Sequence, residues 1–88
     1  KILTIAVQTA EGLHVKPASQ LFMAARDFSC RITASCREAQ ADCKDPGAVR
    51  LGAAGGERLV LSFDGPDEEA AERAFRRLTE KSEEFSYI

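Results

Sequence analysis

The apolar residues of this chain repeat with a period of two, then of three to four, then of two again. That switching decides which folds are open to it. Leu3, Ile5 and Val7 alternate with Thr4 and Gln8 over residues 2–8, the pattern of a half-buried strand. Over residues 15–27 the spacing becomes helical, with Ala18, Leu21, Phe22 and Ala25 on one face and Pro17 in the first turn. Two further alternating runs follow, through Ile32, Ala34 and Cys36 and through Ala39, Ala41 and Cys43. Arg37 and Glu38 lie between them as the turn of a hairpin. Residues 57–63 alternate once more through Leu59, Leu61 and Phe63. The clearest helix occupies residues 65–85. Pro66 and Asp67 open it, Asp67, Glu68 and Glu69 suit the positive end of its dipole, and Ala70, Ala71, Ala74, Phe75 and Leu78 form its stripe. Glu69–Arg73 and Glu72–Arg76 are i, i+4 pairs on its wet side. Residues 44–57 fit a short or irregular helix capped by Asp45 with Pro46 at its first position, interrupted by Gly47, Gly52, Gly55 and Gly56.

The resulting order is β-α-β-β-α-β-α. Each strand has one apolar face and each long helix one stripe. The economical solution is an α+β domain spanning residues 1–88, a four-stranded antiparallel sheet with helices packed on one face. Composition narrows the function. Twelve basic and 14 acidic side chains give a net charge of −2, which is not the footprint of a nucleic-acid binder. No apolar run is long enough for membrane insertion, and the start reads as a strand and not a signal peptide. Cys30, Cys36 and Cys43 are odd in number and lack a C-x-x-C spacing. They therefore read as small half-buried hydrophobes in a reducing compartment, not as a disulfide or metal framework. No cofactor is expected, and the length leaves no room for a lid or a second catalytic base, so an independent enzyme is not expected either.

The one histidine, His14, stands in "GLHVKPA", directly before a helix. The first N–H groups of a helix have no partner within it and carry the positive end of the dipole, which makes an anion site. An imidazole there can take a phosphoryl group on a ring nitrogen. The backbone N–H groups of Val15 and Lys16 and the charge of Lys16 would steady that group. Cationic surroundings would keep the ring neutral, and Pro17 would fix the turn without losing a hydrogen bond. A plain helix cap in an exposed loop is the alternative for His14, and a solvated surface lysine the alternative for Lys16.

These residues resemble the active-site segment of the HPr family, the histidine-containing phosphocarriers of the bacterial phosphoenolpyruvate-dependent sugar phosphotransferase system, whose motif is G-L-H-x-R-P-A. The resemblance covers essentially the whole chain. It implies an open-faced β-sandwich in the cytoplasm, with His14 phosphorylated on Nδ1 by enzyme I and the group passed to enzyme IIA. A monomer is expected. Three departures from the family pattern stand out. Lys16 replaces the motif arginine and supplies charge without a planar fork. Asp45 stands where some relatives carry a serine regulated by a kinase, and it is either a resident negative charge or an N-cap. Pro46, Gly47 and Ala48 replace the apolar residues that dock partners, which leaves Ser19 and Met23 on the first helix to contribute to that patch. Met23 alternatively reads as an isolated surface residue. A non-catalytic regulatory module that kept the fold is the alternative function.

Overall fold

The computed structural model describes residues 1–13, 15–45 and 52–87. Seven elements run along them: β1 (Ile2–Val7), α1 (Val15–Ala25), β2 (Arg31–Cys36), β3 (Ala39–Asp42), β4 (Arg58–Asp64), α2 (Glu68–Lys81) and β5 (Phe85–Tyr87). The strands form one antiparallel sheet in the order β3-β2-β4-β1-β5. Alternation sends Leu3, Ile5, Val7, Ile32, Ala34, Leu59, Leu61 and Phe63 to one side, where they join Ala18, Leu21 and Ala25 of α1 and Ala71 and Phe75 of α2 in a single core. Thr4, Thr33, Ser35, Val60 and Ser62 take the other, open face. The expected α+β architecture, with both helices on one side of an open antiparallel sheet, is therefore present. No helix among the described residues is long and apolar enough to cross a membrane.

The strand count and the end of the second helix differ from expectation. The sheet has five strands, because α2 stops at Lys81 and the chain turns back at Ser82, whose backbone is extended. Phe85 lies seven residues beyond Leu78, so it fits a continued helical stripe and a new strand equally well. Burial decides for the strand: β5 pairs with the otherwise open edge of β1, and Phe85 enters the core. On α2 itself, Ala70 is exposed and Thr79 takes its place in the buried stripe, its hydroxyl donating to the Phe75 carbonyl at 2.9 Å. Of the two expected helix pairs, Glu72–Arg76 closes at 3.3 Å, while Glu69 faces the Lys1 ammonium. Beyond β3, the expected short helix falls largely on residues 46–51, outside those described.

The hairpin turn at Arg37-Glu38 lacks glycine, and Arg37 accordingly sits at φ 55°. Its guanidinium pairs with Glu57 at 2.7 Å, and Glu57 also accepts from the Ala54 N–H at 2.8 Å, which ties the turn to the loop before β4.

Asp67 does more than face a helix dipole. Its side chain makes no cap for α2; instead its carboxylate accepts from the Ser29 N–H at 2.8 Å, the Ser29 hydroxyl at 3.2 Å and the Cys30 N–H at 2.8 Å, clamping the loop that leaves α1. The backbone N–H of Ser29 foremost, aided by the Cys30 and Ser29 bonds, holds its carboxyl down to about 2. A carboxyl depressed in the folded state adds stability that is complete above its unfolded pKa, near 3.8, and fades as pH falls through about 2. Asp67→Asn turns an amide NH2 toward a backbone donor, so it is expected to lower the urea midpoint at neutral pH. The gap between variant and parent should shrink steadily as unfolding is repeated in more acid buffers; a pH-independent gap would contradict this account.

Candidate functional site

The path into α1 is fixed by backbone geometry. Thr9 and Gly12 close a tight turn, with the Gly12 N–H donating to the Thr9 carbonyl at 3.1 Å and the Thr9 hydroxyl to the Gly12 carbonyl at 2.5 Å. Gly12 has φ +76°, and a Cβ on it would lie 2.3 Å from the Ala53 carbonyl oxygen. Leu13 inserts into the core while its N–H donates to that same carbonyl at 2.8 Å. The segment before the helix is thus pinned on one side by a core side chain and on the other by the loop before β4. The residue that follows, His14, lies outside the described residues, as do Pro46, Gly47 and Ala48.

Helix α1 begins at Val15, which is 57% exposed, followed by the exposed Lys16. Pro17 and Ala18 turn to the core. Proline in the first turn loses no helical hydrogen bond, and its fixed φ suits the start. Val15, Ser19 and Met23, spaced by four, share one solvent-facing stripe of the helix, and Met23 is 52% exposed. The structure thus puts Val15, Lys16, Ser19 and Met23 on one element. Asp45 does not lie on α1. It is exposed just beyond β3, with its N–H donating to the Asp42 carbonyl at 2.9 Å. The neighbouring Lys44 ammonium donates to the Phe28 and Cys30 carbonyls at 2.6 and 2.8 Å, in the loop at the opposite end of α1 from Lys16.

Lys16 has a partner that sequence reasoning missed. Its Nζ lies 3.2 Å from Oε1 of Glu84, whose side chain is only 11% exposed against 71% for the lysine. Glu84 is held by its backbone: its carbonyl accepts from the Gln8 N–H at 2.8 Å and its N–H donates to the Ser82 hydroxyl at 3.0 Å. That hydroxyl in turn donates to Gln20 of α1 at 2.9 Å, and Gln8 donates to the Ser86 hydroxyl on β5. No local pattern joins residues 16 and 84; the pairing of β5 with β1, with the Gln8–Glu84 and Ser82–Gln20 bonds, brings them together.

The three cysteines lie in the core. All three are free and fully buried, deeper than the half-buried positions expected of them. Burial pushes the Cys43 thiol up to about 12 and raises Cys30 and Cys36, which favours the protonated thiol. Among the described residues no group of three His, Cys, Asp or Glu side chains is arranged to hold a metal ion.

Comparison with known proteins matches this arrangement to one family. The model for the "PTS HPr component phosphorylation site" matches residues 3–81. The chain belongs to the HPr family. Phosphocarrier protein HPr of Treponema pallidum is 35% identical over 78 residues, which cover 88% of this chain and 89% of that protein. A crystal structure of HPr from Thermoanaerobacter tengcongensis superposes with a TM-score of 0.81 at 32% identity, covering 91% of each chain. A second structure from that organism, described as an HPr dimer, matches with a TM-score of 0.70 at 31% identity over 84% of this chain and 86% of that one. Membership of the HPr family makes this a phosphocarrier-type protein of the phosphotransferase system and associates it with sugar uptake.

Proposed function

We propose that this protein accepts a phosphoryl group on His14 from phosphorylated enzyme I and passes it to an enzyme IIA of a cytoplasmic sugar phosphotransferase system, acting as a carrier without independent turnover. What supports the reading most is the motif "GLHVKPA" falling at the start of α1, with Val15 and the cationic Lys16 as the first two helical residues. The step needs no metal and no cofactor. The lone pair of a ring nitrogen, Nδ1 by resemblance, attacks phosphorus. A new P–N bond forms while the donor's bond to phosphorus breaks and the donor keeps that electron pair. The helix-start N–H groups of Val15 and Lys16 and the Lys16 ammonium would carry the charge of the bound group. Ser19 and Met23, with Pro46, Gly47 and Ala48, would form the surface that both partners use in turn. Asp45 offers no hydroxyl to a kinase, so regulation by serine phosphorylation at that position is not expected here. The protein is proposed to act as a monomer, which sedimentation at working concentration checks.

The test is incubation with enzyme I and labelled phosphoenolpyruvate. One acid-labile phosphate per chain is expected, and none in His14→Ala. Label that persists in His14→Ala, or that never enters the parent protein, would remove the reading. A purely regulatory module, the second reading, is favoured by Asp45 and by the absence of an apolar anchor at Pro46, Gly47 and Ala48. It requires partner binding that ignores phosphorylation, so a titration of both forms separates the two.

A further inference from the structure

The peptide group between Ala53 and Ala54 is held at both of its polar ends. Its carbonyl accepts from the Leu13 N–H at 2.8 Å, and its N–H donates to Oε1 of Glu57 at 2.8 Å. The two bonds orient one rigid plane, since a peptide cannot turn its carbonyl without turning its N–H. The carboxylate is itself fixed from two sides. Its other oxygen receives the Arg37 guanidinium at 2.7 Å and the Cys36 thiol at 3.8 Å, while the Val7 N–H of β1 donates to the Glu57 carbonyl at 2.9 Å. Arg37 is 63% exposed, so the ion pair alone adds little stability. What Glu57 supplies is direction. A charged acceptor makes the stronger hydrogen bond and polarises the peptide, which strengthens the bond that the same peptide makes to Leu13.

We propose that Glu57 is a positioning residue for the carrier reaction, acting through the Ala53–Ala54 peptide on the main chain at Leu13. The inference rests on the reading that His14, the next residue in the sequence, takes the phosphoryl group. A nucleophile attacks phosphorus faster when the backbone that carries it does not have to be ordered at that moment. Leu13 is fastened twice, by its side chain in the core and by its N–H on the Ala53 carbonyl, and Glu57 governs the second fastening. The loops are also in close backbone contact: a Cβ on Gly55 would lie 2.3 Å from the Thr9 carbonyl oxygen. A change in the direction of the Ala53–Ala54 peptide is therefore passed to the entry of α1 and not absorbed in open space.

The experiment reads two quantities on the full chain: steady-state phosphoryl uptake from enzyme I with labelled phosphoenolpyruvate, and hydrogen exchange at the Leu13 amide. Glu57→Ala is expected to lower kcat by about tenfold and to change the KM for the carrier by less than about twofold, the signature of lost positioning and not of lost docking. The Leu13 amide should exchange about tenfold faster while the centre of β4 keeps the parent rate. Glu57→Gln keeps an acceptor at the same reach without the charge, and should stay within about threefold of the parent on both readouts. Glu57→Asp keeps the charge but withdraws it by one methylene. It should behave like Glu57→Ala, and it carries the comparison if the alanine variant does not fold. Unchanged kcat or unchanged Leu13 exchange in Glu57→Ala overturns the proposal. So does acceleration shared equally by Leu13 and β4, and so does an aspartate variant that outperforms the glutamine one. A parent protein that takes up no label overturns the carrier reading itself, whereas a labelled parent matched by Glu57→Ala overturns only the role of Glu57.

Discussion

Gly12→Ala is expected to destabilise the protein by about 2–5 kcal/mol, the sum of a left-handed backbone cost of roughly 1–2 and an overpacking cost of roughly 1–3. Both contributions have a visible source. Gly12 adopts φ +76°, and a Cβ there would stand 2.3 Å from the Ala53 carbonyl oxygen and 3.0 Å from the Ala54 Cα. The obstacle is backbone, which cannot rotate aside, and the Ala53 carbonyl already accepts the Leu13 N–H. Moving it would also disturb Leu13 in the core. Gly52 supplies an internal control: it has φ +68° but nothing within 4 Å of the place a methyl group would take, so Gly52→Ala should incur only the backbone cost, roughly 1–2 kcal/mol. Urea unfolding of the two variants checks the ordering. Equal losses would show that the approach of the two loops is unimportant. The carrier reading adds a second consequence, because the same displacement tilts the entry to α1 and should reduce phosphoryl uptake beyond any loss of folded protein.

How much of this was legible beforehand depended on whether the deciding contact was local. The strands with Leu3, Ile5 and Val7 and with Leu59, Leu61 and Phe63 announced themselves, because a sheet covered on one side demands strict alternation. The face of α1 was equally plain from Ala18, Leu21 and Ala25. Ala70 misled because a methyl group tolerates solvent as readily as burial, whereas Thr79 could be buried by bonding back to Phe75. Phe85 satisfied two periods at once, and pairing with β1 chose between them. Asp67 was read as a partner for its own helix, yet its carboxylate spends its hydrogen bonds on Ser29 and Cys30, residues far away in the chain. Around the site, Val15, Lys16, Ser19 and Met23 could be placed on α1 by spacing alone. Glu84 could not, since an ion pair between the two ends of a chain leaves no periodic trace.

Phe75→Ala is expected to produce the largest loss of stability, about 3–5 kcal/mol, the usual range for emptying a buried phenylalanine site. Phe75 is fully buried on α2 and meets Phe63 of β4 edge to face, with ring centroids 5.2 Å apart at 71°. The ring therefore joins the helix layer to the middle of the sheet, where neighbours on both sides restrain any collapse into the vacated space. A domain of this size commonly has a net stability of only roughly 5–10 kcal/mol, so the variant should sit near its unfolding threshold at 37 °C. Urea titration should show a lower midpoint with an unchanged slope, and Phe75→Leu, which refills most of the volume, should recover more than half of the loss. The consequence reaches the site through the chain itself. Helix α2 leads through Ser82 and Glu84 into β5, and Glu84 is bonded to Ser82 and Gln8 beside Lys16. Loosening α2 should therefore speed hydrogen exchange at the Gln8 amide, which donates to the Glu84 carbonyl, before the protected centre of β4 responds. Uniform acceleration across both would mean that α2 and the sheet open only together.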